Sequence, residues 1–467
     1  MKILQLCNFI FFFVFLIQIQ EKQIHSKIIF VFEHARHGTR TPPFDEDSTY
    51  IDQFGTEWEG DGELTAVGKR LHYILGIQNR IRYSSLLNFT KLNPKEIQIF
   101  STNSIRTLKS LEAQLHAMYL PGTGDILSNE ELEVAYPPRK EFLSNEVLAE
   151  IDTMDNSAII NGTNVFPIQF YPTGKVFLNE PDNCPYMTSY RLQLEERINS
   201  TLTDFMKDFD KKYGDKLREY LNRPNKDFIY TYGSLIDITD NYICNYDNGK
   251  DLSDFLSKTG FDKEEFHQSA IEVKKFYLFH LNSDQTAGII GATPHMTDLI
   301  NYMENKIKDE NNVTYSQPKM VIQGGHDTTL NSIQFFMQKA FNISLQYIQF
   351  GANIYFELHK NETNNKYTVK YYYDGELLLE EEYSYFKKKV LENIMSEEKI
   401  HDFCFQEENN KKDNDKSSNS STIILLIISN IIFLLATVVL AFLLFYNKKN
   451  KNTEINDNDN DNERLVE

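Results

Sequence analysis

The chain has little cysteine: four in 467 residues, one of them, Cys7, inside an N-terminal apolar run. So sparse a set excludes a disulfide framework. The three left, Cys184, Cys244 and Cys404, are an odd number, so at most one bridge forms and a thiol stays free. Positive charge is also short. Lys and Arg number 48 against 67 Asp and Glu, a formal net charge of -19, which excludes nucleic-acid or polyanion binding over a broad surface. An anionic ligand has to be held in a local basic pocket. Ligand-spaced metal clusters are missing: His34-x-x-His37 is an isolated pair with no Cys, His or acidic group in support, and His34 is expected to pack or bond at a strand end. No internal repeat is present. Long apolar runs occur only at the two ends.

Those ends define a topology. Lys2 and the Phe-rich run from Phe9 to Ile17 read as a signal peptide over residues 1–22, with cleavage between Gln18 and Ser26 and an uncleaved anchor as the alternative. The run from Ile423 to Tyr446, broken only by Ser429, Asn430 and Thr437, is long enough to cross a bilayer. Lys448, Lys449 and Lys451 follow it, which puts the tail in the cytoplasm. The expectation is a single-pass type I membrane protein with a polar stalk over 401–422, a transmembrane helix over 423–446 and a solvated acidic tail over 447–467. Roughly 400 residues remain for the body, enough for one large domain with an insertion, or two domains, and aromatic residues at 13% suffice for a proper core.

Within the body, chemistry concentrates in Glu33-His34-Ala35-Arg36-His37-Gly38-Thr39-Arg40-Thr41-Pro42, after a strand-like run from Lys27 to Phe32. Two arginines flank a histidine; Gly38 lets the backbone turn beside the imidazole and Pro42 stiffens the exit. Open α/β sheets bind ligands at the carboxyl ends of strands, and a cationic cluster there suits a compact dianion such as a phosphoryl group. A second strand, Lys319 to Ile322, feeds Gly324-Gly325-His326-Asp327-Thr328-Thr329, where the two threonines are expected to cap the following helix. A third motif, Ser101 to Thr107, puts Arg106 in the first turn of a helix, where backbone N–H groups and the dipole also favour an anion.

Arg36-His37-Gly38-x-Arg40-x-Pro42, followed in order by the His326-Asp327 pair, resembles the signature of the histidine acid phosphatases, the branch that includes prostatic and lysosomal acid phosphatases and phytases. Arg106 matches the family's third phosphate-binding arginine in a Ser-Thr-x-x-x-Arg-Thr setting, and the run from Trp58 to Gly68 resembles the stretch before its first long helix. The resemblance implies His37 as nucleophile and Asp327 as proton donor and then base. It implies Arg36, Arg40, Arg106 and His326 as phosphate ligands, with no cofactor and no metal. It also implies a Cys184–Cys404 bridge; the family partner of Cys244 falls near Gly351 and Ala352, where no cysteine stands. The function expected is a membrane-anchored acid phosphatase, in a lysosome-like compartment or at the cell surface, that acts on phosphate monoesters. Alternatives are a phytase, inositol-polyphosphate or lysophosphatidate phosphatase, and a receptor-like ectodomain reusing the fold. The acid-rich loop from Asp45 to Asp61 weighs against polyphosphate, and the six charged site residues weigh against a non-enzyme. Implied partners are the substrate, the membrane and at most a second copy in a homodimer.

The fold expected is α/β: a mixed, mostly parallel sheet flanked by helices in residues 27–134 and 261–400, with an inserted, mainly helical cap over 135–260. Residues 43–63 read as an irregular loop. A helix capped by Thr65 presents Val67, Leu71, Ile74, Leu75 and Ile81 as its apolar face, and Leu108, Leu111, Leu115 and Met118 do so for the next. The stretch from Tyr232 to Asp247 reads as mixed structure. Pro294 is placed at the first position of a helix running to Lys308, and Asp374-Gly375 at a hairpin turn. Asn88, Asn161, Asn199, Asn312, Asn342 and Asn361 open glycan-acceptor triplets in a lumenal body.

Overall fold

The computed structural model describes residues 26–43, 49–171, 193, 196, 204–222, 232–281, 285–310 and 317–404. The strands are β1 (Ser26–Arg36), β2 (Thr49–Ile51), β3 (Glu57–Glu59), β4 (Ile97–Ser101), β5 (Ile168–Phe170), β6 (Met320–Gly325), β7 (Asn353–Asn361), β8 (Tyr367–Tyr373) and β9 (Glu376–Glu382). The helices are α1 (Ala66–Arg82), α2 (Ile105–Met118), α3 (Asn129–Val134), α4 (Asn145–Ile151), α5 (Asp204–Phe209), α6 (Asp215–Tyr220), α7 (Tyr232–Asp247), α8 (Ser253–Thr259), α9 (Lys263–Leu281), α10 (Gln285–Asp309), α11 (Asp327–Phe341) and α12 (Tyr383–Asn393).

The main sheet has the order β5-β4-β6-β1-β7-β8-β9. β5, β4, β6 and β1 pair in parallel, whereas β7, β8 and β9 form an antiparallel meander on the far side of β1. The expected mixed α/β sheet is thus present, with its parallel half under the motifs. β1 runs apolar without alternation from Ile28 to Phe32 because both faces are covered. On one face Phe30, Phe32, Val321, Ile354 and Phe356 pack with Leu330, Ile333, Met296 and Met303 of α10 and α11. On the other, Val31, Ile97, Ile99 and Ile322 pack with Leu111, Leu115 and Met118 of α2. The Asp374-Gly375 turn is real: both residues have positive φ, 45° and 86°, as a two-residue turn between twisted strands requires.

A third apolar cluster is helical. Phe209, Leu217, Tyr242, Phe255, Phe266, Ala270 and Val273 form its centre, with Phe54 and Phe350 reaching in from outside. This packing runs past the expected boundary at residue 260, because the apolar face of α9 turns to α7. The segment before it also contributes β5 to the main sheet. Tyr232–Asp247 is a single helix, and the loop over 43–63 holds the β2–β3 hairpin.

Two helices depart from the sequence reading. α1 is capped by Thr65, whose Oγ1 accepts from Gly68 N at 3.1 Å, but Val67, Ile74 and Ile81 point to solvent. Its buried face is Gly68, His72, Leu75, Gly76 and Asn79, because it must approach α2 closely and carry polar groups to a buried acid on β1. α10 begins nine residues before Pro294 and holds the proline inside. Burial of Ala292, Met296 and Leu299 overrides the lost backbone bond, and Thr293 Oγ1 adds a bond to Ile289 O at 2.7 Å.

Two compact units are present, Met1–His401 and Asp402–Glu467; of the second, 402–404 are described and helical. Cys404 is buried and disulfide-bonded, Cys244 is free and buried, and Cys184 lies outside the described residues. So do the expected signal peptide, the stalk beyond residue 404, the span over 423–446, the tail, Asn199 and Asn312. Among the described residues no helix is long and apolar enough to cross a membrane. Asn88, Asn161 and Asn342 are exposed, and Asn361 is half-buried with its Oδ1 accepting from Thr363 N at 2.9 Å.

Candidate active site

Three strand ends meet at one edge of the sheet. Register sets Arg36 opposite Gly325 and Ser101 opposite Gly324, so the loops after β1, β4 and β6 open side by side at their carboxyl ends. The ladder runs one residue further, with His37 N donating to Gly325 O at 3.1 Å and Thr102 N to Gly324 O at 3.3 Å. All six charged residues singled out in the sequence gather there.

His37 is 3% exposed. Its Nδ1 lies 2.9 Å from Gly38 O; a carbonyl only accepts, so Nδ1 carries the proton and Nε2 keeps its lone pair. Burial, then the positive fields of Arg36, His326, Arg106 and Arg40, hold the ring well below the ordinary histidine range. Gly38 is needed for a different reason from the expected turn. It has no positive φ; a Cβ there would lie 2.5 Å from Gly68 O, so this loop and the start of α1 are in backbone contact.

The His326 ring stands edge-on to that of His37, centroids 5.4 Å apart. Burial, Arg106 and the other arginines push it down to about 4, and its Nε2 lies 3.1 Å from Thr102 Oγ1. The N-cap of α11 is His326 rather than either threonine; Thr329, three residues on, closes a capping box, its Oγ1 accepting from His326 N at 3.4 Å. Arg36 donates from Nη1 to Ile348 O and from Nη2 to Asp327 Oδ2, both at 2.9 Å. Its Nε and that of Arg106 are buried with no acceptor among the described residues. Arg40 donates from Nη2 to Asp240 Oδ2 at 2.9 Å and from Nη1 to Thr41 O at 3.0 Å, with Cys244 Sγ at 3.5 Å.

Asp327 opens α11, where the dipole favours its anion, and its Oδ1 accepts from Thr328 N at 2.9 Å. Burial acts to raise its pKa, but Arg36, Lys274 and His326 override this and bring it to about 2. These cationic neighbours therefore keep the carboxyl ionised at neutral pH.

Three neighbours carry no sequence signal of their own. Phe350 lies under two guanidinium groups, its ring 4.1 Å from Arg36 Cζ and 5.6 Å from Arg40 Cζ. Asp240 and Lys274 come from α7 and α9, and α7 also carries Cys244, marked in the sequence only as a thiol without its family partner. His34 packs edge-on against His295, ring centroids 5.0 Å apart, and among the described residues no group of three or more His, Cys, Asp or Glu is arranged to hold a metal ion.

A sheet edge where a neutral imidazole, three arginines and a His-Asp pair converge defines a class of phosphatase, and residues 26–374 match the model of the histidine phosphatase superfamily (branch 2). The chain belongs to that superfamily. It is 22% identical over 393 residues to human prostatic acid phosphatase, covering 78% of this chain and 82% of that protein. It is 40% identical over 91 residues to the lysosomal acid phosphatase of Xenopus laevis, a match that spans 19% of that protein. Among solved structures, the apo form of Hafnia alvei phytase superposes with a TM-score of 0.52 over 80% of this chain and 98% of that one, at 12% identity. At that identity the likeness concerns the fold alone.

Proposed function

We propose that this protein is an acid phosphatase that cleaves phosphate monoesters through a phosphohistidine on His37, with Asp327 as proton donor. The observation that carries the proposal is the state of His37: neutral, tied through Nδ1 to Gly38 O, and set among arginines of which two present buried Nε–H groups without an acceptor. Such donors suit the non-bridging oxygens of a phosphoryl group. In the first step the Nε2 lone pair attacks phosphorus, the bond to the ester oxygen breaks, and Asp327 protonates the departing alkoxide. In the second, Asp327 takes a proton from water, which attacks phosphorus and frees His37 and inorganic phosphate. Arg36, Arg40, Arg106 and His326 hold the oxygens throughout, which is where loose phosphoryl transfer gains most. Neutralisation of Arg36 by the bound phosphate releases Asp327 to accept a proton, so activity is expected on the acid side of neutrality.

The signal-like run before Ser26, the apolar run over 423–446 and the glycan-acceptor triplets support a lumenal or extracellular body on one membrane span. The test is rapid-quench trapping of phosphoenzyme by the full chain, with an aryl and an alkyl phosphate as substrates. His37→Ala should form no phosphoenzyme and turn over neither. Asp327→Asn should bind phosphate but lose roughly 100- to 10,000-fold in turnover of the alkyl ester. Turnover by His37→Ala, or alkyl cleavage by Asp327→Asn at the wild-type rate, overturns the assignment.

A further inference from the structure

Two charged side chains reach the site from the helical cluster and take no part in the phosphate grip described above. Asp240 projects from α7 and Lys274 from α9, and Lys274 Nζ bonds Asp240 Oδ1 at 2.9 Å with both side chains 9% exposed. Each also touches a different member of the site. The second oxygen of Asp240 takes Arg40 Nη2 at 2.9 Å. Lys274 Nζ lies 3.8 Å from Asp327 Oδ2, the oxygen that Arg36 Nη2 holds at 2.9 Å. The five side chains form one line of alternating charge, Arg40–Asp240–Lys274–Asp327–Arg36, from one proposed phosphate ligand through the proton donor to another.

A lysine this deeply buried is costly unless its charge is used. Its neighbour Val273 and nearby Leu278 belong to the apolar cluster, so packing alone would be served by an apolar residue. Arg40 and Arg36 differ from Lys274 in one respect: phosphate binding neutralises the arginines, whereas Lys274, bonded to Asp240, keeps its charge toward Asp327. We infer that Lys274 is a positioning residue of the reaction, which holds the Asp327 carboxyl at the leaving-group side and sets the pH at which it yields its proton, with Asp240 limiting how much of the lysine's charge is felt. The inference rests on the phosphatase reading above.

Other charged and titratable groups also face Asp327. They are Arg36 from β1, His326 beside it, Arg40 from the loop after β1, Arg106 from α2 and Tyr347 from the segment before β7. From α7 and α9, Lys274 and Asp240 act on the carboxyl directly, and Asp247 of α7, pushed up by burial to about 6, acts on Arg36 and Asp240 beside it.

The test is the pH dependence of kcat for the full chain on an alkyl phosphate, whose departure needs the proton. Lys274→Met removes a positive neighbour, so the alkaline limb of kcat should move up by about one pH unit. Asp240→Asn removes a negative neighbour, so the limb should move down. Lys274→Arg should restore the wild-type limb. A merely structural role would lower kcat in both variants and leave the limb in place. Absence of wild-type phosphoenzyme would mean that the phosphatase reading has failed. With phosphoenzyme formed, an unmoved limb in Lys274→Met, or shifts of the same sign in both variants, overturns the role of Lys274 alone. Should Lys274→Met not fold, Asp240→Asn decides: a downward shift supports the role, and an unmoved or rising limb removes it.

Discussion

Glu33 should make the protein more stable in acid than at neutral pH, and Glu33→Gln should remove that dependence. Glu33 lies on β1 three residues before Arg36 and is fully buried. Burial raises its pKa from the ordinary 4.5 to about 7, against bonds from Gln114, Asn79 and Tyr355 that favour the anion. Gln114 Nε2 and Asn79 Nδ2 each lie 2.8 Å from one of its oxygens. Beyond Gln114 stands His72, with Nδ1 3.3 Å from Gln114 Oε1 and Nε2 2.9 Å from Arg36 O. Burial outweighs its bonds to Arg36 O and Gln114 and brings His72 down to about 4, so between these values the ring is neutral and Glu33 protonated. Arg36 O only accepts, so Nε2 carries the His72 proton and Nδ1 needs a donor. Turning the Gln114 amide over supplies that donor and offers its oxygen to the Glu33 hydroxyl, and every group is then satisfied. Loss of the Glu33 proton turns the amide back and leaves its oxygen against the Nδ1 lone pair. Because the folded-state pKa is raised, the contribution is fully present below pH 4.5, falls as pH rises, and is gone above about 7. A shift of that size corresponds to about 3 kcal/mol. For a body of roughly 400 residues this is a Tm difference of about 4 °C. Thermal melts of the full chain from pH 4.5 to 8 would measure it. Glu33→Gln carries a permanent donor, so its Tm should gain on wild type as pH rises; parallel curves would refute the account.

Two further variants probe how the site is held. Phe350→Leu keeps most of the packing but removes the ring beneath Arg36 and Arg40. The loss of about 1–2 kcal/mol of cation–π attraction should raise KM roughly 5- to 30-fold, and steady-state kinetics with an unchanged KM would exclude the effect. Gly38→Ala puts a Cβ 2.5 Å from Gly68 O, and Gly68→Ala puts one 2.2 Å from Thr39 O. Since both obstacles are backbone, each variant should lower Tm and activity, and the double variant should cost less than the sum because one contact is lost only once; a wild-type Tm in either single variant would contradict this.

The parts of the site legible in the sequence share a physical property: their chemistry is local. Arg36, His37 and Arg40 follow one strand, Arg106 opens one helix, and His326 and Asp327 follow another strand, so each motif could be placed from its own neighbours. The β8–β9 turn was legible for the same reason, because Asp374 and Gly375 occupy positive φ. Phe350, Asp240 and Lys274 escaped because partners on other elements, far outside their own local motifs, select them. Arg40 and Asp240, for example, meet across a separation of 200 residues. Helix α1 was misjudged by the same logic in reverse. Periodicity assumes that apolar residues face the core, yet Val67, Ile74 and Ile81 face solvent while Asn79 and His72 turn inward to serve Glu33 and the Arg36 carbonyl.

This division bears on what substitutions do. In the proposed reaction the local motifs supply the atoms that touch phosphate, so changing them should end turnover. His72, Asp240 and Lys274 act one bond further out, on the carbonyl of Arg36, the guanidinium of Arg40 and the carboxyl of Asp327, and Glu33 acts on His72 through Gln114. Their effects should therefore appear as displaced pH limbs and melting temperatures, with the phosphate ligands themselves unaltered. A chain with this sheet and these three motifs but different residues at 240 and 274 is then expected to hydrolyse the same class of ester at a different pH. The helical cluster would adjust the proton donor while the strand ends keep the phosphoryl group.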